Sequence, residues 1–490
     1  MIGSFRLTQI GEFQPTRIGV FRPTQFGEFR PTRTPLLFEQ VASVQEYLLI
    51  PSSLTGFHNT DTTSEFLPNG RNSLCMNGTL SLPEERTCPF CGKSHLHINQ
   101  RFARTLKHLP VGNGTSIVSF QNVQYLCMDC RRTHMQEIPF KSVHHSITKE
   151  LEDYICFLLA RHSLTNKEIS ELTGVGPNIV KAIDKRRLEG LYVVDGKLRR
   201  PETYARFLGI DEFKLHNGHK YATHIIDMKT GHILWISEGK KKQVVYDFIE
   251  HVGLEWMSHV EAVALDMNSD FQEAFLEKCP HLRVVFDYFH IFKNFNDKVV
   301  SGIRKDEQKR LEDAGDYEAA RNLKRSRHIL MSSRATLERK DREASEGKVL
   351  RKESKLFPMP EVKRRDIGYM KRYENILEKN RLLFVTDLIK EMLQEAFSCQ
   401  SEHRMLEYVN RIMDLCLECA PGEDERNRHL MWFRKLLASH LDGIIAHATY
   451  HISAGKIEGI NNKIKTLRRQ AYGYRDDEYF FLKLIDMSRH

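Results

Sequence analysis

The residues most clearly able to do chemistry here are four cysteines in two matched pairs. Cys88-Pro-Phe-Cys91 and Cys127-Met-Asp-Cys130 are C-x2-C knuckles, with 36 positions from Cys91 to Cys127. Such a knuckle aims two thiolates to one side of a tight turn, and two of them complete a tetrahedral zinc site with Zn–S of about 2.3 Å. Gly92 follows the first knuckle, where a positive φ is often needed. Four protein ligands close the coordination sphere, so this zinc would be structural and not catalytic. His95, His97 and His134 lie close enough to substitute as ligands but read as surface histidines. A third C-x2-C, Cys416-Leu-Glu-Cys419, falls on a helical pattern with no second knuckle and reads as core.

A second set of candidates is acidic. Asp211 and Asp266 end or interrupt two apolar strand patterns, Ile210-Asp211-Glu212 and Leu265-Asp266-Met267. Aspartate is a poor strand residue, and a carboxylate at a buried strand end is costly unless something such as a divalent cation compensates it. Downstream, the stretch around Glu458 reads as a helix. At about 100° per residue, Ile457, Ile460, Ile464 and Leu467 share one face, and Glu458, Asn462, Lys465 and Arg469 share the opposite one. A carboxylate beside a basic row suits a phosphate backbone running past a metal. Three carboxylates on two strands and a helix could hold two Mg2+ or Mn2+ ions about 3.5–4 Å apart, the arrangement that serves in-line displacement at phosphorus. Taken singly, each is as well explained as a surface carboxylate; the combination with the strand order favours the functional reading. Asp287 and His290 follow a further strand and are accessory candidates, Asp287 supporting the metal site and His290 positioning DNA or capping a helix.

Elements able to position these groups can be read along the chain. Residues 1–33 repeat every eight positions, with Phe5, Phe13, Phe21 and Phe29 in step. With a helix expected over 36–49 and a Ser/Thr/Asn/Gly-rich stretch after it, residues 1–80 read as a disordered leader and linker. Residues 81–145 read as a zinc ribbon, with strand patterns at 115–119 and 123–126. Residues 146–200 read as a helix-turn-helix. Ile147, Leu151, Ile155, Leu158 and Leu159 recur at helical spacing, Thr165 and Glu168 form a capping box, and Ile169 and Leu172 mark the buried face of the second helix. Pro177 opens the third helix, with Asn178, Lys181, Lys185 and Arg186 expected outward on a face suited to a DNA major groove. Residues 205–295 alternate between strands and helices as a mixed sheet flanked by helices, 296–450 are helical and highly charged, and 451–490 carry the Glu458 helix.

Composition sets the outer bounds. The 490 residues carry 41% hydrophobic and 28% charged side chains and a net charge of +9, enough apolar content for a core and a basic excess that permits a polyanionic partner. Ten cysteines are too few for a disulfide scaffold in a chain of this length. No apolar run is long enough to span a membrane and the N-terminus lacks the apolar core of a secretion signal, which points to a cytoplasmic protein with no membrane partner.

Several ordered motifs resemble the ISL3 family of insertion-sequence transposases. They are the cysteine ribbon, the helix-turn-helix, Leu208-Gly-Ile-Asp211-Glu212-Phe213, Val263-Ala-Leu-Asp266-Met267, Phe286-Asp287-Tyr-Phe-His290, Ile457-Glu458-Gly-Ile-Asn461-Asn-Lys-Ile-Lys465 and Arg469-Gln-Ala-Tyr472-Gly473-Tyr474-Arg475. The resemblance covers roughly residues 80–490. It implies a multidomain α+β chain whose catalytic core is ribonuclease H-like and interrupted by a large helical insertion, with Asp211, Asp266 and Glu458 as a DDE triad. It further implies a bacterial, DNA-associated enzyme that binds terminal inverted repeats and target DNA as a homodimer or larger assembly, and that cleaves and transfers strands with Mg2+ or Mn2+. The repeat of residues 1–33 is not part of the family pattern. A non-catalytic sequence-specific DNA-binding regulator is the alternative from another class, and a nuclease without strand transfer is a third reading.

Overall fold

The computed structural model describes residues 54–66, 70, 72–83, 85–112, 114–267, 269–347, 367–419, 428–453, 455–471 and 473–490. The chain divides into units Met1–Thr55 and Gly56–His490, and the second carries everything below. The repeat of residues 1–33 and the helix expected over 36–49 lie outside the described residues. Among the described residues no helix is long and apolar enough to cross a membrane.

The first sheet corrects the expected linker. Residues 57–80 form two antiparallel strands, β1 (Phe57–Phe66) and β2 (Asn72–Leu80). They join the long hairpin of β3 (Leu96–Val111) and β4 (Gly114–Cys127), with β2 parallel to β4 and a short β5 (Thr133–Met135) continuing along the same edge of β4, opposite β3. Ser, Thr and Asn dominate β1 and β2, so their apolar periodicity is weak. Their position comes from a few inward residues: Phe57 packs edge-on against Phe120 and Phe140, each at 6.2 Å, with Met76 and Leu80 also buried.

Three helices follow: α1 (Lys149–Ala160), α2 (Asn166–Thr173) and α3 (Pro177–Tyr192). The Thr165/Glu168 capping box forms, Gly174 closes α2 in the left-handed region, and Pro177 occupies the first turn of α3, where a missing N–H costs nothing. Ile147, Leu151, Ile155, Leu159, Ile169, Val180 and Ile183 make their shared core. Leu172 departs from expectation: it is 50% exposed, because α2 is only two turns long and Thr173, not Leu172, turns inward.

A hairpin of β6 (Val193–Val194) and β7 (Lys197–Leu198), turned by Asp195 and Gly196 at positive φ, leads to the central sheet. Its strands are β8 (Phe207–Lys214), β9 (Tyr221–Asp227), β10 (Ile233–Glu238), β11 (Ala262–Leu265) and β12 (Arg283–Phe286), in the order β10-β9-β8-β11-β12. The first three pair antiparallel, and β11 pairs parallel with both β8 and β12. Helices α4 (Lys242–Val252), α5 (Leu254–Met257) and α6 (Ser269–Lys278) bury Phe248, Trp256 and Phe275 against one sheet face, where Leu208, Ile210, Val263 and Leu265 point.

After β12 the chain enters α7 (Tyr288–Asn294), a π-helical segment (Phe295–Val300) and the helices α8 (Ser301–Asp313), α9 (Tyr317–Lys324), α10 (Arg327–Leu330), α11 (Arg334–Ser345), α12 (Tyr369–Lys379), α13 (Arg381–Ser398), α14 (Glu402–Glu418), α15 (Arg428–Ser439), α16 (Leu441–Ile445) and α17 (His447–Tyr450). This helical body shares one hydrophobic core with the α4–α6 face of the sheet. Cys416 lies buried in it, and burial pushes its thiol up to about 12, as an inert core residue requires.

The last helices, α18 (Gly455–Gln470) and α19 (Asp477–Ser488), return to the opposite sheet face. Over β8 and β11 that face presents small residues, Ala262 and Ala264 on β11 and Gly209 on β8. A Cβ on Gly209 would fall 2.9 Å from Ile457 Cδ1 and 2.5 Å from Met228 Sδ, so glycine there sets how closely α18 can lie on the sheet. The apolar face read from sequence, Ile457, Ile460, Ile464 and Leu467, is the face that is buried.

Helix α19 also grips α3 through buried charge. Asp184 on α3 is 0% exposed and accepts from Arg187 at 2.9 Å, Tyr479 at 2.7 Å and Lys483 at 2.7 Å. Arg187 continues to Asp486 at 2.7 Å, and Asp486 also accepts from Tyr192 at 2.6 Å. Removing one member of a buried charge network leaves its partner uncompensated. Asp184→Ala is therefore expected to lower the unfolding free energy by about 3–5 kcal/mol, measured by denaturant titration. Lys167→Ala, at an exposed i,i+4 pair, should stay within about 0.5 kcal/mol of the parent protein.

Candidate active site

The cysteine knuckles are built twice on the same plan. In the first, the Gly92 N–H donates to the Cys88 carbonyl at 2.8 Å and the Cys88 N–H to the Lys93 carbonyl at 2.8 Å; in the second, Arg131 N–H donates to Cys127 and Cys127 N–H to Arg132, each at 2.9 Å. Gly92 and Arg131 hold the same left-handed position, φ 72° and 56°. The second turn therefore places a non-glycine residue in the region the first gives to glycine. All four sulfurs lie within 4.8 Å of one another, with Cys88–Cys130 and Cys91–Cys127 at 3.6 Å, and none is in a disulfide. A tetrahedron with Zn–S of about 2.3 Å needs S···S of about 3.8 Å, so the donor set and spacing fit one zinc ion. His95, His97 and His134 are not members of this cluster.

The carboxylates gather at the other end of the molecule's chemistry, where β8 and β11 run side by side. Their register pairs Ala264 with Gly209, so Asp211 and Asp266 stand at the same level, each two residues further on. Each carboxylate accepts the N–H of the following residue, Asp211 from Glu212 at 2.8 Å and Asp266 from Met267 at 2.7 Å. His290 Nδ1, on α7, lies 3.3 Å from Asp266 Oδ1. Asp287 caps α7, accepting the Phe289 N–H at 3.1 Å. Helix α18 closes the group: Asn461 Nδ2 donates to Asp211 Oδ2 at 2.6 Å. Burial pushes the Asp211 carboxyl above its ordinary value. The bonds from Asn461 and Glu212 and the charge of His290 oppose that shift, and Asp266 adds to it.

Asp211, Asp287, His290, Glu458, Asn461 and Lys465 line a cleft of about 730 Å³; Asp266, half-exposed at its strand end, is not among the lining residues and meets them through His290. Glu458 sits exposed in the first turn of α18, and no hydrogen bond or ion pair among the described residues holds it. Asp211, Asp266 and Glu458 do not form a group of donor atoms all within 4.8 Å of one another. Of the basic row on α18, Lys465 faces the cleft, whereas Asn462 and Arg469 are exposed outside its lining.

Sequence reasoning left several polar residues of the cleft without a role, Asn461 and His447 among them. Asn461 lies three positions after Glu458, a spacing that puts both on one helical face and could have identified it. His447 on α17 is buried, lines the cleft and leaves Nδ1 without a partner; no local pattern marks it.

The helix-turn-helix residues do not join the carboxylate cleft. Asn178 is exposed at the start of α3. Lys181 and Lys185, expected outward, reach Asp476 at 2.9 and 3.4 Å, and Arg186 reaches Glu152 at 3.0 Å. Their charges are engaged inside the molecule.

With this geometry in view, comparison with known proteins defines the class. Residues 208–484, more than half of the chain, match the family model of ISL3-type DDE transposases, described as a transposase. The chain is 25% identical over 398 residues to the transposase for insertion sequence element IS1001 of Bordetella parapertussis, covering 81% of this chain and 87% of that one. It is 22% identical over 387 residues to the transposase for insertion sequence element IS1557 of Mycobacterium tuberculosis, covering 72% and 74%. The chain belongs to the ISL3 family of transposases.

Two outcomes follow from the site geometry. Metal analysis of the purified chain should give about one zinc per molecule, lost on Cys91→Ser or Cys130→Ser and retained when the carboxylates are changed. Gly209→Val should push α18 off the sheet and cut DNA-processing activity by about tenfold or more, because misplacing a reacting group by about 1 Å can cost a hundredfold. Gly190→Val, at an open helical position, should leave activity intact.

Proposed function

We propose that this transposase binds the ends of its insertion sequence and carries out metal-dependent cleavage and strand transfer of DNA through Asp211, Asp266 and Glu458. The observation that carries the reading is the juxtaposition of Asp211 and Asp266 on neighbouring parallel strands, with α18 tied to the same carboxylate through Asn461. The strand order and senses support a ribonuclease H-like core, and a purely regulatory DNA-binding protein has no use for such a constellation.

The donor set fits a hard divalent cation. It is all oxygen, and Asn461 Oδ1 is a buried acceptor with no donor beside Asp211. Mg2+ or Mn2+ held there would acidify an attacking water or 3′-hydroxyl and stabilise the leaving oxygen at phosphorus. Asp211 and Asp266 supply the fixed negative charge that holds the cation. Asn461 orients Asp211, and His290 bears on Asp266. Glu458, unconstrained at the cleft edge, can swing to complete the set. Lys465 and Lys293 make no ion pair among the described residues and are free to take DNA phosphates, aided by the N-terminal turn of α18.

The remaining parts serve DNA engagement. The cysteine cluster would hold a structural zinc. The helix-turn-helix would read the terminal repeats with Asn178 at its exposed tip, and Lys181 and Lys185 would have to exchange Asp476 for phosphate to contribute. Joining two element ends to one target calls for a dimer or larger assembly on DNA.

Asp211→Asn, Asp266→Asn and Glu458→Gln should each slow both nicking and joining by about a hundredfold or more while leaving binding to the element ends unchanged in gel-shift titrations. Chelation of Mg2+ should have the same effect. Asp270→Asn, a nearby carboxylate on α6, should lose far less. Full Mg2+-dependent cleavage by Glu458→Gln would move the third ligand elsewhere in the cleft, to Asp287 or His447.

A further inference from the structure

The cleft contains one side chain that neither carboxylate chemistry nor core packing uses. Among the described residues, many large hydrophobic side chains are exposed somewhere on the surface, but only Phe289 among them also lines the cleft, and it is 53% exposed. Its helical neighbours behave differently. Tyr288 packs on Phe292 at 5.0 Å and on Phe397 at 5.1 Å, directed into the helical body. Phe289 touches one ring only, His290, edge-on at 5.7 Å.

The backbone of Phe289 is anchored. Its backbone N–H is the one that Asp287 caps, and it occupies the first turn of α7. The next residue, His290, is the one that reaches Asp266 at 3.3 Å. The backbone at Phe289 is thus anchored one residue before His290, and the ring shares the cleft lining with Asp211 and with the cationic side chains Lys293 and Lys465. An exposed aromatic ring among lysines is poorly suited to an apolar partner. It is well suited to a nucleic-acid strand, whose phosphates the lysines can take while a base stacks on the ring. Phosphates in duplex DNA are reached most easily inside a cleft when the strand bends or a base step opens, and apolar side chains inserted at a step produce that opening.

We propose that Phe289 stacks on a base adjoining the scissile phosphate and holds that nucleotide out of the duplex, which makes it a positioning residue for the cleavage step. The proposal rests on the reading of the cleft as the DNA-cleaving site.

The test uses the full chain and duplex DNA carrying one element end. Phe289→Ala and Phe289→Leu should slow single-turnover cleavage by about tenfold or more, the size expected for losing one base–aromatic stack. Phe289→Trp should stay near the parent rate, and end binding should change little in all three. Two modified substrates separate stacking from a general structural role. When the nucleotides flanking the scissile phosphate are mispaired, the deficit of the Ala and Leu variants should shrink. When the stacked base is removed, by scanning an abasic nucleotide through the flanking positions, parent and variants should be cut at one rate at a single position. A deficit identical on paired, mispaired and every abasic substrate, or no deficit at all, overturns the proposal. Loss of the parent's cleavage in the Asp211→Asn protein alongside a neutral Phe289→Leu would sink only the stacking role; cleavage surviving all three carboxylate changes would sink the reading of the cleft itself.

Discussion

Two like charges at the ends of neighbouring strands repel, and much of this structure is arranged around holding Asp211 and Asp266 together regardless. Their separation is set by the parallel pairing of β8 and β11, which the backbone ladder enforces whatever the side chains prefer. Each is steadied by the N–H of its successor; Asn461 donates to Asp211, and His290 Nδ1 lies 3.3 Å from Asp266 Oδ1. Burial still raises the Asp211 carboxyl, with a smaller contribution from Asp266. A carboxyl raised by burial in a cleft, with a second acid nearby, is the pattern of a candidate functional site.

One sheet face is small-sided over β8 and β11. The Glu458 helix lies close to the sheet there. Ala262, Ala264 and Gly209 leave that space, and the isoleucines of α18 fill it. The opposite face, with Leu208, Ile210, Val263 and Leu265, is built from bulky residues and carries the helical body. That body supplies the far wall of the cleft through Gln394, Phe397 and His447, so the long segment between β12 and α18 is part of the site and not an appendage to it.

Coupling between the helix-turn-helix and the core is equally specific. Asp184, Lys483 and Asp486 are charges buried between α3 and α19, and with the largely covered Arg187 each is satisfied by a partner on the other helix or its own. Apolar contacts from Leu188, Tyr479 and Leu482 would hold the helices together in several registers. Buried charges tolerate few, because any shift leaves one unpaired. The two modules are therefore joined in a defined orientation.

Sequence alone determined what depends on neighbours a few residues away. The two knuckles, the Thr165 capping box, Pro177 at the start of α3, and the apolar stripe of α18 were all legible, because the turns, caps and helical periodicity that produce them are local. Strand-end aspartates were legible for the same reason: an acid closing an apolar run is conspicuous wherever the strand goes. What tertiary structure decided was every question of who faces whom. Lys181 and Lys185 read as an open basic face, yet Asp476 on a segment about 290 positions away occupies them. Residues 57–80 read as linker, yet pairing with β4 and burial of Phe57 make them strands. His447 enters the cleft from a helix with no local signal at all. Exposure and pairing are properties of the folded surface, set by contacts between segments far apart in the chain, and no window of sequence contains both partners.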